Sequence, residues 1–212
     1  HWLGNQAVRE SYPEARIFAH QRMLEHVAAG AGDEWIALFS RLTEGATAGT
    51  TMTAPDVGLQ GGEVIRIGEL AFGIHPPGSG HSDSVILIVI PAVKALFTGD
   101  IVTNRRIQSA RPEDSDIFGQ ILAVEAALGT GSRWYVPGHG ETGGRELGER
   151  QLQFLQELLG AVRRYYEKGL SDFEMVAPIK RDLHTYSDWD NFDELGRVIS
   201  HVYLKVEEKA FE

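Results

Sequence analysis

Three times in this chain an apolar run ends in a glycine-containing turn that presents an ionisable residue, and this recurrence limits the possible folds more than any other feature. ELAFGIH is followed by PPGSGH, KALFT is followed by GD, and RWYVP is followed by GHG. Short apolar runs bounded by turn residues, rich in β-branched and aromatic side chains, read as buried strands. The longest is VILIVI, Val85 to Ile90. The turns after these strands place His81, Asp100 and His139, with His75 closing its own strand. Rigid strand ends with short glycine turns hold side chains to the tolerance that metal ligation demands. Two or three histidines with a carboxylate suit zinc, iron or manganese, and sequence alone does not choose among them. Taken singly, a loop histidine is commonly surface, an aspartate after glycine commonly shapes a turn, and PGHG is a tight turn. The shared strand-then-turn design shifts the balance toward one functional set.

The rest of the chain alternates helices and strands. A helix from Gln6 to Ser11 stops before Pro13, which disfavours helix in the residue ahead of it. ARIFAH reads as a strand and HQRMLEHVAAG as a helix ended by Gly30, with Asp33 as the cap of a further helix carrying EWIALFSRL. GEVIRI, ELAFGIH, VILIVI and KALFT follow as strands, with GE and PAV as turns. Asp116 to Leu128 reads as helix. Long helices run from Arg145 to Lys168, where Leu147, Leu152, Leu155, Leu158, Leu159 and Val162 recur near helical spacing, and from Asn191 to the end. The expected class is α/β, with layered sheets and outer helices. Residues 1–212 are expected to form one domain, with residues 145–212 as C-terminal helices packed on it.

Charge and composition remove several functions. The net charge is −10, and no basic run exceeds two residues, so nucleic acid is not the expected partner. No run of eighteen apolar residues exists to form a membrane-spanning helix, and no membrane partner is expected. The absence of cysteine rules out disulfides and thiolate ligands within the chain. With 42% hydrophobic residues the composition is that of an ordinary soluble globular protein, and the compartment stays open.

GSGHSDSVILIVIPAVKALFTGDIV followed by WYVPGHG resembles the metallo-β-lactamase superfamily. That family's ligands run H-x-H-x-D-H, a lone His, an Asp at a strand end, and a His in a Pro-Gly-His turn. The resemblance covers His1 to about Gly144, and the tail is similar to C-terminal helices of some members. HWLGNQAV matches the end of the first motif, which makes His1 its last histidine. Two histidines and an aspartate of that motif, and part of the first sheet, are then missing ahead of His1, and the chain is expected to be a fragment. The fold implied is an αββα sandwich of two mixed sheets with an incomplete first sheet.

Carried over residue by residue, the resemblance assigns His81 to one metal, His1 and His139 to a second, and Asp100 to both, which makes Asp100 the residue on which catalysis turns. It implies two Zn2+ in the complete site, with iron or manganese as alternatives, and hydrolysis by a metal-bound hydroxide. Well-known zinc β-lactamases place Cys or Ser where Asp100 stands, so Asp100 points to hydrolysis of a small ester, thioester or lactone. GHSDSV lacks the Pro-Gly that often follows the lone His, which is similar to members of poorly defined substrate. Two other readings stay open, a di-iron redox protein and a non-catalytic relative of the fold. The partner expected is a small-molecule substrate, with a homodimer possible through unpaired sheet edges. Around the ligands, Ser82 and Thr98 are candidates for orienting hydrogen bonds. His75 reads as structural, Arg105 and Arg106 as a solvated loop or an anion contact. His184, Tyr186 and Trp189 read as the seat of a terminal helix or, alternatively, a substrate wall.

Overall fold

The computed structural model describes residues 2–78, 80–108 and 116–211. Its contacts divide the chain into two compact units, His1–Glu63 and Val64–Glu212. No helix among the described residues is long and apolar enough to cross a membrane.

In the first unit a 3-10 turn, Trp2–Gly4, leads into α1 (Asn5–Ser11), then β1 (Phe18–His20), α2 (Gln21–Ala28), α3 (Ala31–Leu42) and β2 (Val57–Leu59). β1 and β2 pair in parallel as a two-stranded sheet, from Phe18 against Val57 to His20 against Leu59. Asp56 secures this pairing at its start. Its carboxylate accepts from Ile17 N at 2.7 Å and from the Arg9 guanidinium at 2.6 and 2.7 Å. These bonds, the Ile17 amide first, hold the Asp56 carboxyl below its ordinary range. Gly30 stands at the head of α3 with φ +100°, an angle glycine takes without steric cost. The expected cap, Asp33, instead sits inside the first turn of α3, where a negative charge complements the helix dipole. β2 was not foreseen. Three residues with a central glycine carry no period to detect.

The second unit opens with β3 (Val64–Ile67), β4 (Leu70–His75), β5 (Leu87–Ile90) and β6 (Ala95–Gly99). α4 (Ile117–Gly129) then crosses over to β7 (Trp134–Pro137). The sheet order is β3-β4-β5-β6-β7, antiparallel throughout except for the parallel pair β6–β7. A parallel pair needs a crossover, and α4 supplies it. The PAV turn forms as a 3-10 turn, Pro91–Val93, and Lys94 follows with φ +53° before the chain reverses into β6.

Three helices complete the unit, α5 (Glu146–Tyr166), α6 (Asp172–Asp182) and α7 (Leu195–Ala210). Leu87, Leu96 and Tyr135 of the sheet share one core cluster with Val124 of α4, Leu158 of α5 and Ile199 of α7. The fold is therefore α/β, with a five-stranded mixed sheet, helices, and a first sheet of only two strands. Two features of the helices differ from expectation. α6 was not foreseen; it begins with a capping box, Ser171 with Glu174, and runs through Pro178. The C-terminal helix begins at Leu195 rather than Asn191, because Asn191 takes φ +63° and a 3-10 turn, Phe192–Glu194, intervenes.

Candidate functional site

Two strand ends build the centre of the site. β6 finishes on Gly99, at φ +50°, and the next side chain is Asp100. β7 lies parallel beside it and finishes on Pro137, two residues before His139. Gly138 N donates to Gly99 O at 2.8 Å, so the two turns leave the sheet in contact. Carboxyl ends of adjacent parallel strands are where open α/β sheets place their sites. Gly140, at φ +88°, then lets the turn close over Asn104, whose amide donates to His139 O at 3.0 Å.

His81 arrives from the β4–β5 connection. Gly80 carries it against the first turn of α4, where a β-carbon at residue 80 would meet Gln120 N and Cα and Gly119 O, each at 3.2 Å. Asp116 N, at the N-cap of α4, donates to Gly80 O at 3.3 Å.

The result is a carboxylate between two imidazoles. Asp100 Oδ2 lies 3.5 Å from His81 Nε2, and Asp100 Oδ1 lies 3.6 Å from His139 Nε2. The Asp100 side chain is 15% exposed, against 25% for His81 and 38% for His139, so the site opens on the His139 side. His81 Nδ1 is buried with no hydrogen-bond partner among the described residues.

Two ligands about 2.0–2.1 Å from one tetrahedral ion stand about 3.3–3.4 Å apart. Each Asp100–His pair comes within a few tenths of an ångström of that spacing, one pair on each carboxylate oxygen. The donor set of nitrogen and oxygen suits zinc and its neighbours. No group of three or more His, Cys, Asp or Glu among the described residues could hold an ion by itself. The spacing and donor chemistry of each Asp100–His pair are compatible with two ligands of one ion. His1, the fourth expected ligand, lies outside the described residues.

The remaining candidates take other roles. His75 ends β4 with its ring lying back over Gly73 of its own strand. Ser82 bonds Ser84 within their loop, Oγ to Oγ at 3.3 Å. Thr98 is fully buried and donates to Val102 O at 3.0 Å, fastening the chain beyond Asp100. Arg105 pairs with Asp188, and Arg106 lies 4.0 Å from Asp190. Tyr186 and Trp189 are buried against Phe154, at 5.1 and 5.2 Å between ring centres, and seat α5 rather than forming a wall. His184 faces outward and contacts Arg181 O at 3.1 Å. Sequence reasoning missed Asn104, Gln108 and Asn191, polar loop residues with no motif around them.

This combination defines an α/β protein whose polar site sits at the carboxyl ends of two adjacent parallel strands, β6 and the edge strand β7. The chain belongs to the metallo-β-lactamase superfamily, whose family model matches residues 1–139. Among solved structures it is similar to a metallo-β-lactamase from Pontibacter korlensis, at 21% identity and TM-score 0.52, over 74% of this chain and 66% of that one. It is also similar to ST1585, an archaeal superfamily protein from Sulfolobus tokodaii, at 14% identity and TM-score 0.56, over 73% and 62% of the two chains. The BLEG-1 B3 metallo-β-lactamase matches at 21% identity and TM-score 0.56, over 73% and 71%. At these identities the likeness is one of fold. The chain spans less than two thirds of the length of the first of these, the Pontibacter protein. No curated protein matches the chain.

Proposed function

We propose that this chain carries part of a dinuclear metal site and belongs to a hydrolase of small esters, thioesters or lactones. The observation that carries the reading is the placement of Asp100, one carboxylate oxygen toward His81 and the other toward His139, at 3.5 and 3.6 Å. A fold-only role would not need two imidazoles aimed at one carboxylate.

On this reading His81 and Asp100 would hold one zinc, and His139 and Asp100 a second. When bound, such a pair activates water and polarises the carbonyl under attack. The chain's own part is to place the donors. Gly99, Gly138 and Gly140 bring the two turns together, and Asp100 keeps both imidazoles oriented. Its low exposure keeps bulk water from competing for the carboxylate. An aspartate at this position, rather than cysteine or serine, favours esters, thioesters and lactones over β-lactams.

The test is metal content per chain, by elemental analysis of protein purified without added metal, followed by a screen of ester, thioester and lactone substrates. Bound zinc, up to about two per chain, with turnover and the loss of both in Asp100→Ala, is the expected result. Asp100→Ala with unchanged metal and turnover would overturn the reading, and iron in place of zinc would redirect the screen to redox substrates.

A further inference from the structure

The loop from Ile101 to Gln108 has no regular secondary structure, yet it touches both Asp100 and the turn that carries His139. Asn104 N donates to His139 O at 3.0 Å, and Asn104 Nδ2 donates to Glu141 O at 3.0 Å. A β-carbon at Gly140 would lie 2.8 Å from Asn104 Cβ, so the turn is pressed onto the loop. Further along, the Gln108 side-chain amide donates to the backbone carbonyl of Asp100.

The far side of this loop is held by the segment between α6 and α7. Ile107 N donates to Asp190 O and Asp190 N donates to Arg105 O, both at 2.9 Å. Asn191 Nδ2 donates to Ile107 O at 3.2 Å across 84 residues of sequence. Ile107 is fully buried, so these bonds are shielded from water. The segment is itself fixed by Trp189, 5% exposed, with its ring 5.2 Å from Phe154 and 4.9 Å from Tyr186. Asn191 takes φ +63°, a region in which asparagine is several-fold enriched among residues other than glycine. The ion pair of Arg105 with Asp188 is half-exposed on both sides and adds little.

We propose that Asp188–Asn191 is a strap that positions the Ile101–Gln108 loop, and through it both Asp100 and the His139 turn. The packing of the C-terminal helices thereby sets the affinity of the site for metal, and Asn191 is the positioning residue. The affinity half of this proposal rests on the metal reading above, whereas the holding of the loop does not.

Asn191→Gly tests it, because glycine keeps the left-handed backbone and removes only the amide. Zinc affinity by chelator competition and amide hydrogen exchange are measured on the same samples, together with the urea midpoint. The expected result is zinc binding weakened about tenfold, at the low end of what outer-shell changes cost. Faster exchange at the Asn104 and Ile107 amides, with β6 and β7 unchanged, accompanies it. Asp188→Asn stays within about twofold of the parent, as an exposed pair should. Exchange that rises uniformly over the chain, or a lowered urea midpoint with unchanged zinc affinity, overturns the proposal and leaves the strap a packing element. If the parent holds no zinc, the metal reading has failed, and the exchange pattern alone decides whether the strap holds the loop.

Discussion

Gly138 stands so close to Asp100 that a β-carbon at residue 138 would land on the carboxylate Oδ1, and would meet Gly99 C and O at 3.0 and 3.1 Å. The reason for glycine here is space. Its φ is not among the positive ones, unlike that of Gly140 in the same turn. The PGHG turn reaches the end of β6 only because residue 138 has no side chain.

Gly138→Ala should therefore act on the site more than on the fold. The added methyl group displaces the Asp100 carboxylate or the His139 turn, and overpacking of this kind costs about 1–3 kcal/mol. The expected outcome is loss of most bound metal with the folding transition retained. Elemental analysis and a urea titration on one preparation check it. Full metal occupancy in the variant would show that the turn yields without moving Asp100.

Gly160 makes the opposite case. It lies on the exposed face of α5, away from the site, and a β-carbon there meets nothing within 4 Å. Gly160→Ala should stabilise the protein by about 0.5–1 kcal/mol, since glycine in a helix interior costs about that much relative to alanine. The measurement is the urea midpoint, expected to rise with metal content unchanged. A fall would mean that α5 is not helical through residue 160.

The dependence of stability on pH has two limbs. Burial, and then the Glu157 carboxylate, push the Tyr186 hydroxyl well above its usual range, and burial raises Tyr135 as well. A raised folded value means that the stabilisation is present below the ordinary tyrosine pKa of about 10 and fades as pH climbs beyond it. Urea midpoints should fall above about pH 10, and Tyr186→Phe should flatten that fall. On the acid side, the Ser171 hydroxyl and then its backbone amide hold Glu174 below the usual carboxylate range. That contribution is present above the ordinary glutamate value and is lost as pH drops through the lowered folded one. An alkaline limb of equal slope in parent and Tyr186→Phe would contradict the assignment to Tyr186.

Much of the architecture was legible in the sequence because it is written locally. The runs that become β3 to β7 carry the β-branched and aromatic side chains of strands. α5 repeats its leucines at helical spacing, and Leu155 and Leu158 are indeed core residues. α6 was not read from the sequence: Ser171 and Glu174 stand in capping-box spacing, but Pro178 inside the segment argues against a helix. β2 was not, because its partner β1 lies some forty residues earlier and a parallel pair leaves no turn signature.

By itself the sequence determined that Asp100 follows a strand end directly and that His81 and His139 lie in the glycine-containing loops after strands, because a strand, its glycine and the side chains that follow are neighbours along the chain. Tertiary structure alone decided that each oxygen of Asp100 faces a different imidazole, and that Gly138 is glycine for want of room. It alone joined Arg105 to Asp188 and Asn191 to Ile107. Those relations are set by packing between segments 19 to 84 positions apart. A periodicity or a motif reports only the surroundings a residue carries with it, and no local pattern encodes which distant backbone will come to lie against it.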